Sequence, residues 1–370
     1  MSLSPVTLTA LVLAVPLLAF AQDPKLQSRA EQIQTRITAF DSHLDLPFDY
    51  PGAAEDGKTR FDLPKATRGH LKGASFAVFV PQGPRTPEGY AKAVADADKK
   101  LNLIKAIAEN NHDGAAIAYS PEDVRRISAQ GKFAVVISLL NAYSLGSPKA
   151  DLSQLDEWYQ RGVRILGYTH AGHNAWADSS RPSKALNDPL EEHGGLSDIG
   201  KKGIARLNDL GVLIDVSQLT TPGLKQVLSL SRAPVVASHS GIKAIVDATR
   251  NLSDEEMALI AKNGGVVQVV AFGNYLRKVP EGVHDAPPAT VAQFVDSLEY
   301  AVKKIGVDHV GIASDFNHGG GVTGWQNEGE GTNVTAELLR RKYSERDIAK
   351  LWGGNFLRTW EQAQKLRKAK

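Results

Sequence analysis

Cysteine is absent from this 370-residue chain, which rules out disulfide staples and thiolate metal ligands together. Any metal must therefore be held by imidazole and carboxylate groups. A strong charge of either sign is also missing. Lys and Arg number 43 against 41 Asp and Glu, a formal net charge of +2, so there is no electrostatic footprint for nucleic acid or an anionic membrane surface. Lys365, Arg367, Lys368 and Lys370 do cluster, but at a solvated chain end. No glycine-rich phosphate loop follows a strand, which argues against the nucleotide-binding versions of an open α/β sheet. Internal repeats, linkers and a second domain are absent too. What remains is 42% hydrophobic and 23% charged, enough for one large α/β core.

The apolar stretch Leu8–Ala21 is too short to span a bilayer and is followed by polar Gln22-Asp23-Pro24-Lys25. Ala19-Phe20-Ala21 forms a small-x-small cleavage site, so residues 1–21 read as a secretory signal peptide. Export to the periplasm or medium is expected, with no transmembrane anchor once the leader is removed. No Lys or Arg precedes the stretch and Pro16 interrupts it; no cysteine follows it, so a lipid anchor there is excluded. Residues 22–370 then form a single domain.

Within that domain, short apolar runs bounded by turn signals predict buried strands at Ile37–Phe40, Ala74–Val80, Phe133–Leu139, Val163–Gly167, Leu213–Val216, Val235–Ala237, Gly265–Ala271 and Val310–Ala313. Helices are expected over Leu26–Arg36 and near 89–108, 152–161, 199–210, 221–231, 254–263 and 289–305. Ser197, Thr221-Pro222 and Ser253-Asp254-Glu255-Glu256 offer caps for three of them. Eight strands alternating with helices predict a (β/α)8 TIM barrel, with a doubly wound open sheet as the alternative. Long loops follow particular strands at Asp45–Gly73, His170–Ser197, Phe272–Pro288 and Asp315–Thr332, and loops of that length are usually functional. The last carries Gly319-Gly320-Gly321, permissive enough to move or to admit a ligand close to the backbone.

Chemistry-bearing residues collect where the strands end. Asp41-Ser42-His43-Leu44-Asp45, Tyr168-Thr169-His170, Ser238-His239-Ser240 and Ser314-Asp315 each close an apolar run. In parallel α/β folds the carboxyl ends of the strands carry the site. His43 and Asp45 are two residues apart, so on an extended chain they face the same way and converge on one point. A His-x-Asp pair joined by His239 and Asp315 suits a divalent ion such as zinc.

These residues resemble the membrane (renal-type) dipeptidases, peptidase family M19, within the amidohydrolase-like metal-dependent barrels. The resemblance covers nearly everything after the leader. It rests on Asp41-Ser42-His43-Leu44-Asp45-Leu46-Pro47, Tyr168-Thr169-His170 with Asn174 and Trp176-Ala177-Asp178-Ser179, Gly195-Leu196-Ser197, and Leu213-Ile214-Asp215-Val216-Ser217. Ala237-Ser238-His239-Ser240, Arg250-Asn251, Gly311-Ile312-Ala313-Ser314-Asp315-Phe316 and Gly353-Gly354-Asn355-Phe356-Leu357-Arg358 extend it. It implies a zinc peptidase that splits small dipeptides with a metal-activated water. His43, Asp45 and Asp315 become ligands of one zinc and His239 a ligand of a second. His170 polarises or binds the scissile carbonyl region, Arg250 holds the substrate carboxylate, and Asp315 can also take a proton from water. A homodimer is implied by the resemblance alone.

Two positions depart from the family pattern. Leu140 stands where the resemblance implies a metal-bridging glutamate, although a one-residue slip would put Asn141 there instead. Gln218 replaces the other second-zinc histidine, and its 21-residue spacing to His239 matches the family. Leucine offers no lone pair and an amide oxygen is a poor zinc ligand. The expected outcome is one zinc, where the typical family member holds two. The alternative is an inactive relative that still binds a dipeptide-like ligand. Among the remaining mouth residues, His318 is the candidate for a compensating ligand; His173 and His193 read as loop histidines. Trp176 and Tyr143 read as packing, with lining of the substrate cavity as the alternative, and Asp178 and Asp215 as groups that orient ligands, cap helices or pair with arginine.

Overall fold

A computed structural model describes residues 23–278 and 288–368. The proposed leader lies outside these residues, as do His284 and most of the Phe272–Pro288 loop. The described residues include nine parallel strands: β1 (Phe40–Leu44), β2 (Gly73–Phe79), β3 (Ala115–Ile117), β4 (Phe133–Leu140), β5 (Val163–Gly167), β6 (Leu213–Asp215), β7 (Val236–Ser240), β8 (Val266–Val270) and β9 (Val310–Ala313). Eight of them pair in the order β1-β2-β4-β5-β6-β7-β8-β9. Two backbone bonds draw the ends of that path together just beyond the strands: Asp315 N–H donates to the His43 carbonyl and Asp45 N–H to that of Phe316, both at 3.0 Å. The result is a nearly closed eight-stranded barrel, as expected.

The strands were legible because they are buried on both faces. Every residue of β1, β2, β4, β7, β8 and β9 is inaccessible to solvent or nearly so. β1 begins three residues later than Ile37, because Ile37 caps the first helix by donating to the Ile33 carbonyl. The Asp-Ser-His motif is thus part of the strand and does not follow it. β3 was not foreseen. Its three residues pair with the first half of β4, below Ile137, where β5 joins.

The helices carry their own boundaries. Ser197 caps Asp198–Leu210 by accepting from Gly200 N–H at 3.1 Å, and Gly211 ends it in the left-handed conformation, φ 69°. Ser253 and Glu256 form a reciprocal capping box at the start of Asp254–Lys262. Such caps contribute about 1 kcal/mol each. The cap of Thr221–Leu230 is Thr220, one residue before the expected Thr221, because its side chain reaches Gly223 N–H. Among the described residues no helix is long and apolar enough to cross a membrane.

Candidate active site

The closing seam of the barrel builds the site. β1 delivers His43, the residue just past its end is Asp45, and the turn after β9 delivers Asp315. His43 Nε2 lies 3.8 Å from Asp45 Oδ2 and 3.9 Å from Asp315 Oδ1. One donor atom from each of the three falls within 4.8 Å of the others, an arrangement able to hold a metal ion. The two-residue spacing of His43 and Asp45 therefore does converge on one point. Asp315 adopts a left-handed backbone, φ 56°, which costs a non-glycine residue on the order of 1 kcal/mol. The seam holds it there. Asp315 accepts from Gly320 N–H at 2.9 Å, and any side chain on Gly320 would strike the Ser314 and Asp315 carbonyls. Gly320 thus packs tightly behind Asp315.

Asp41 ties the seam from below. Its carboxylate accepts from the backbone N–H of His43 at 3.2 Å and of Ser314 at 3.0 Å, and from the Ser314 hydroxyl. Buried Glu328 is hydrogen-bonded to it. Burial and the Asp41 charge push the Glu328 carboxyl well above its usual range.

Burial dominates the electrostatics of the donors. It lowers His43 to about 3, with His318 and Arg250 adding to the effect. It raises Asp45 to about 7, against an opposing pull from Lys100. Asp315 is pushed well above a normal carboxyl, again by burial. Three buried atoms, His43 Nε2 and both Asp45 carboxylate oxygens, have no hydrogen-bonding partner among the described residues. Orphaned acceptors on neighbouring side chains are expensive unless something positive sits among them. An imidazole and two carboxylates fit a divalent cation such as zinc.

His239, at the end of β7, stacks on His43 with ring centroids 3.8 Å apart. Its orientation follows from a chain of hydrogen bonds. The Ser238 hydroxyl donates to Asp215 Oδ2 at 2.5 Å, which leaves its oxygen to accept from His239 Nδ1 at 2.7 Å. The lone pair of His239 Nε2 then faces the Gln218 amide Nε2 at 3.0 Å. Gln218 Oε1 in turn accepts from Arg181 Nη2 at 2.6 Å, and the same Nη2 lies 3.3 Å from His170 Nε2. A guanidinium only donates, so His170 presents a lone pair there and is neutral. Burial first, and Arg181 second, hold its pKa well below the ordinary value. Asp215 therefore does orient a histidine.

Leu140 ends β4 in register with Phe79 of β2 and Gly167 of β5, packed with Ala77 and Phe79. Phe79 carries this apolar wall to His170, at 4.4 Å, and His318, at 4.7 Å. Asn141 does not take the place of Leu140. Its side chain is used within the fold, donating to the Val80 carbonyl and accepting from Tyr143 N–H and Asn174 Nδ2. His318 Nδ1 lies 3.7 Å from Asp45 Oδ2, beside the three-donor cluster but not part of it. Arg250 is buried, donates Nη2 to the His239 carbonyl, and lies 5.0 Å from the Tyr275 ring centre with its Nε unpartnered.

His173 and His193 lie in the loop framework. His173 accepts from Ser179 N–H and pairs with the Pro189 carbonyl, while His193 pairs with that of Asn174. Asp178 gathers the backbone N–H groups of Glu192, His193 and Gly195. Trp176 is fully buried packing, and Tyr143 donates to the Pro84 carbonyl. Arg181 is the site residue that sequence reasoning missed. Nothing local distinguishes it from any arginine in a mouth loop.

A parallel barrel with three buried donors at its strand ends is built to hold a metal ion at its mouth. Residues 27–370 match the membrane dipeptidase family (peptidase family M19), and the chain belongs to that family of metal-dependent hydrolases. Dipeptidase aclJ of Aspergillus oryzae is 27% identical over 349 residues, covering 90% of this chain and 79% of that protein. The crystal structure of the probable dipeptidase PvdM from Pseudomonas aeruginosa superposes with a TM-score of 0.88 at 44% identity, covering 93% of this chain and all of that one. A metallopeptidase from Rhodobacter sphaeroides liganded with a phosphinate mimic of the dipeptide L-Ala-D-Ala shares the fold, with a TM-score of 0.77 at 23% identity over 88% of this chain and 99% of that one.

Proposed function

We propose that the protein is an exported peptidase that hydrolyses a small dipeptide, or a closely related amide, at a site holding one zinc ion. The observation that carries this reading is the convergence of three buried, unpartnered acceptors, His43 Nε2 and both oxygens of Asp45, beside Asp315. His43, Asp45 and Asp315 would hold the ion. A divalent ion bound there supplies Lewis acidity and makes a water acidic enough to act near neutral pH. As a carboxylate at the edge of the cluster, Asp315 is placed to take the proton that the attacking water gives up. His170 orients the scissile carbonyl region, and the Arg250 guanidinium binds the terminal carboxylate. His239 flanks the site through its stack on His43, with its Nε2 engaged by Gln218. The support for export is the Leu8–Ala21 stretch with its small-x-small end.

Purified protein should contain one zinc per chain, and Asp315→Asn should abolish dipeptide hydrolysis. Full activity in that variant would refute the mechanism. A second reading, a non-catalytic binder of dipeptide-like ligands, is favoured by the apolar Leu140 wall and by the Gln218 amide on His239. It predicts ligand binding that survives a chelator and depends on Arg250.

A further inference from the structure

The guanidinium of Arg181 is built into the site more firmly than a loop arginine needs to be. Its own backbone is anchored on both sides, N–H to the Ser179 hydroxyl at 3.1 Å and carbonyl from Gly172 N–H at 2.8 Å. The loop is stitched to the end of β6, where Ser180 N–H donates to the Gln218 carbonyl at 2.9 Å. Gln218 holds a left-handed backbone, φ 67°, and aims its amide oxygen at Arg181 Nη2. The amide nitrogen of the same side chain faces His239 Nε2 at 3.0 Å. Gln218 therefore consumes the lone pair of His239 and presents a carbonyl to a cation. Arg181 Nε is buried without a partner among the described residues, so a donor remains available beside His170. No carboxylate within ion-pair distance of Arg181 occurs among the described residues, which leaves its charge uncompensated at short range in a half-buried place.

We propose that Arg181 is the site's fixed electrophile opposite the metal donors, a guanidinium aimed by Gln218 that binds the negative charge developing on the substrate's carbonyl oxygen. This rests on the hydrolase reading above. As the water oxygen bonds to the carbonyl carbon, the carbonyl π electrons move onto oxygen, and the Arg181 N–H groups donate to that oxygen. The arginine keeps its protons throughout. When the oxyanion re-forms the carbonyl, the C–N bond breaks and the amine leaves with the proton held at Asp315. A preorganised charged donor is most effective where the charge appears only on the way to reaction. In this arrangement the positive charge on the His170 side comes from the chain itself, and a second cation next to Arg181 would be repelled.

The test compares two non-hydrolysable analogues of Ala-Ala by calorimetry on the zinc-loaded protein. One is the phosphinate, tetrahedral and anionic at its centre; the other is the ketomethylene analogue, whose central carbonyl is neutral. Arg181→Met should weaken the phosphinate by about 10- to 100-fold and the ketomethylene by less than about threefold, the loss expected for one charge-assisted hydrogen bond. Arg181→Lys should fall between, and zinc content and thermal stability should match wild type. Arg250→Met should weaken both analogues alike, because both carry the terminal carboxylate. Equal losses for the two analogues in Arg181→Met, or none, would overturn the assignment while leaving the hydrolase reading intact. If wild-type protein binds neither analogue, the hydrolase reading fails and takes this one with it.

Discussion

Metal uptake by this site should be governed by carboxyl protons, not by imidazole protons. Burial holds His43 at about 3, so above pH 4 its Nε2 is already free to bind and competes with no proton. Asp45 is the opposite case. Its rise from 3.8 to about 7 corresponds to roughly 4 kcal/mol needed to ionise it in the metal-free fold. The sign follows directly. Below pH 7 metal-free Asp45 carries a proton, and binding a cation must release it, so affinity falls as pH falls. For Asp45 alone, the cost in apparent affinity should approach about tenfold per pH unit below about 7, or about 50-fold between pH 7 and pH 5. Asp315, also raised by burial, steepens the dependence. The dependence should flatten above the range where both carboxyls have ionised. Zinc titrations against a chromophoric chelator from pH 5 to 8, with proton release followed by an indicator dye, measure this directly. An affinity constant across pH 5 to 7 would refute the reasoning.

Two further substitutions probe the walls of the site. Arg250→Met should raise KM for dipeptides about 30-fold or more while changing kcat little, because truncating one partner of a buried charge pair costs about 2–5 kcal/mol of binding; steady-state kinetics would expose the opposite split. Leu140→Glu places a carboxylate in the apolar cluster with Ala77 and Phe79. It should destabilise chelator-treated protein by about 3 kcal/mol or more, with partial recovery in zinc, as read by thermal unfolding. Unchanged stability in chelator would show that Leu140 is not sealed in that wall.

Most of the barrel was legible because strands buried on both faces read as unbroken apolar runs, and because such strands end in the residues that do chemistry. The limits were physical. The β1 boundary was misjudged because an apolar run stops at its first polar residue, whereas β1 continues through Asp41 and His43. β3 is a run of only three residues, Ala115–Ile117, too short to stand out as a strand. The His43, Asp45 and Asp315 cluster was visible in spacing and in strand ends. Arg181 was not, because its place depends on the long loop after β5 folding back onto β6, a contact between Ser180 and Gln218 that no local pattern encodes. The roles of Gln218 and Leu140 were half legible. Sequence marked both as departures; only geometry puts the amide between His239 and Arg181 and the leucine against Phe79.

Elemental analysis of protein purified without chelator, run alongside zinc-supplemented dipeptide hydrolysis, tests the single-metal site most directly. The three-donor cluster, with the His239 lone pair taken by Gln218, predicts one zinc per chain together with turnover. Two zinc ions per chain with turnover, or no metal and no turnover after supplementation, would contradict it.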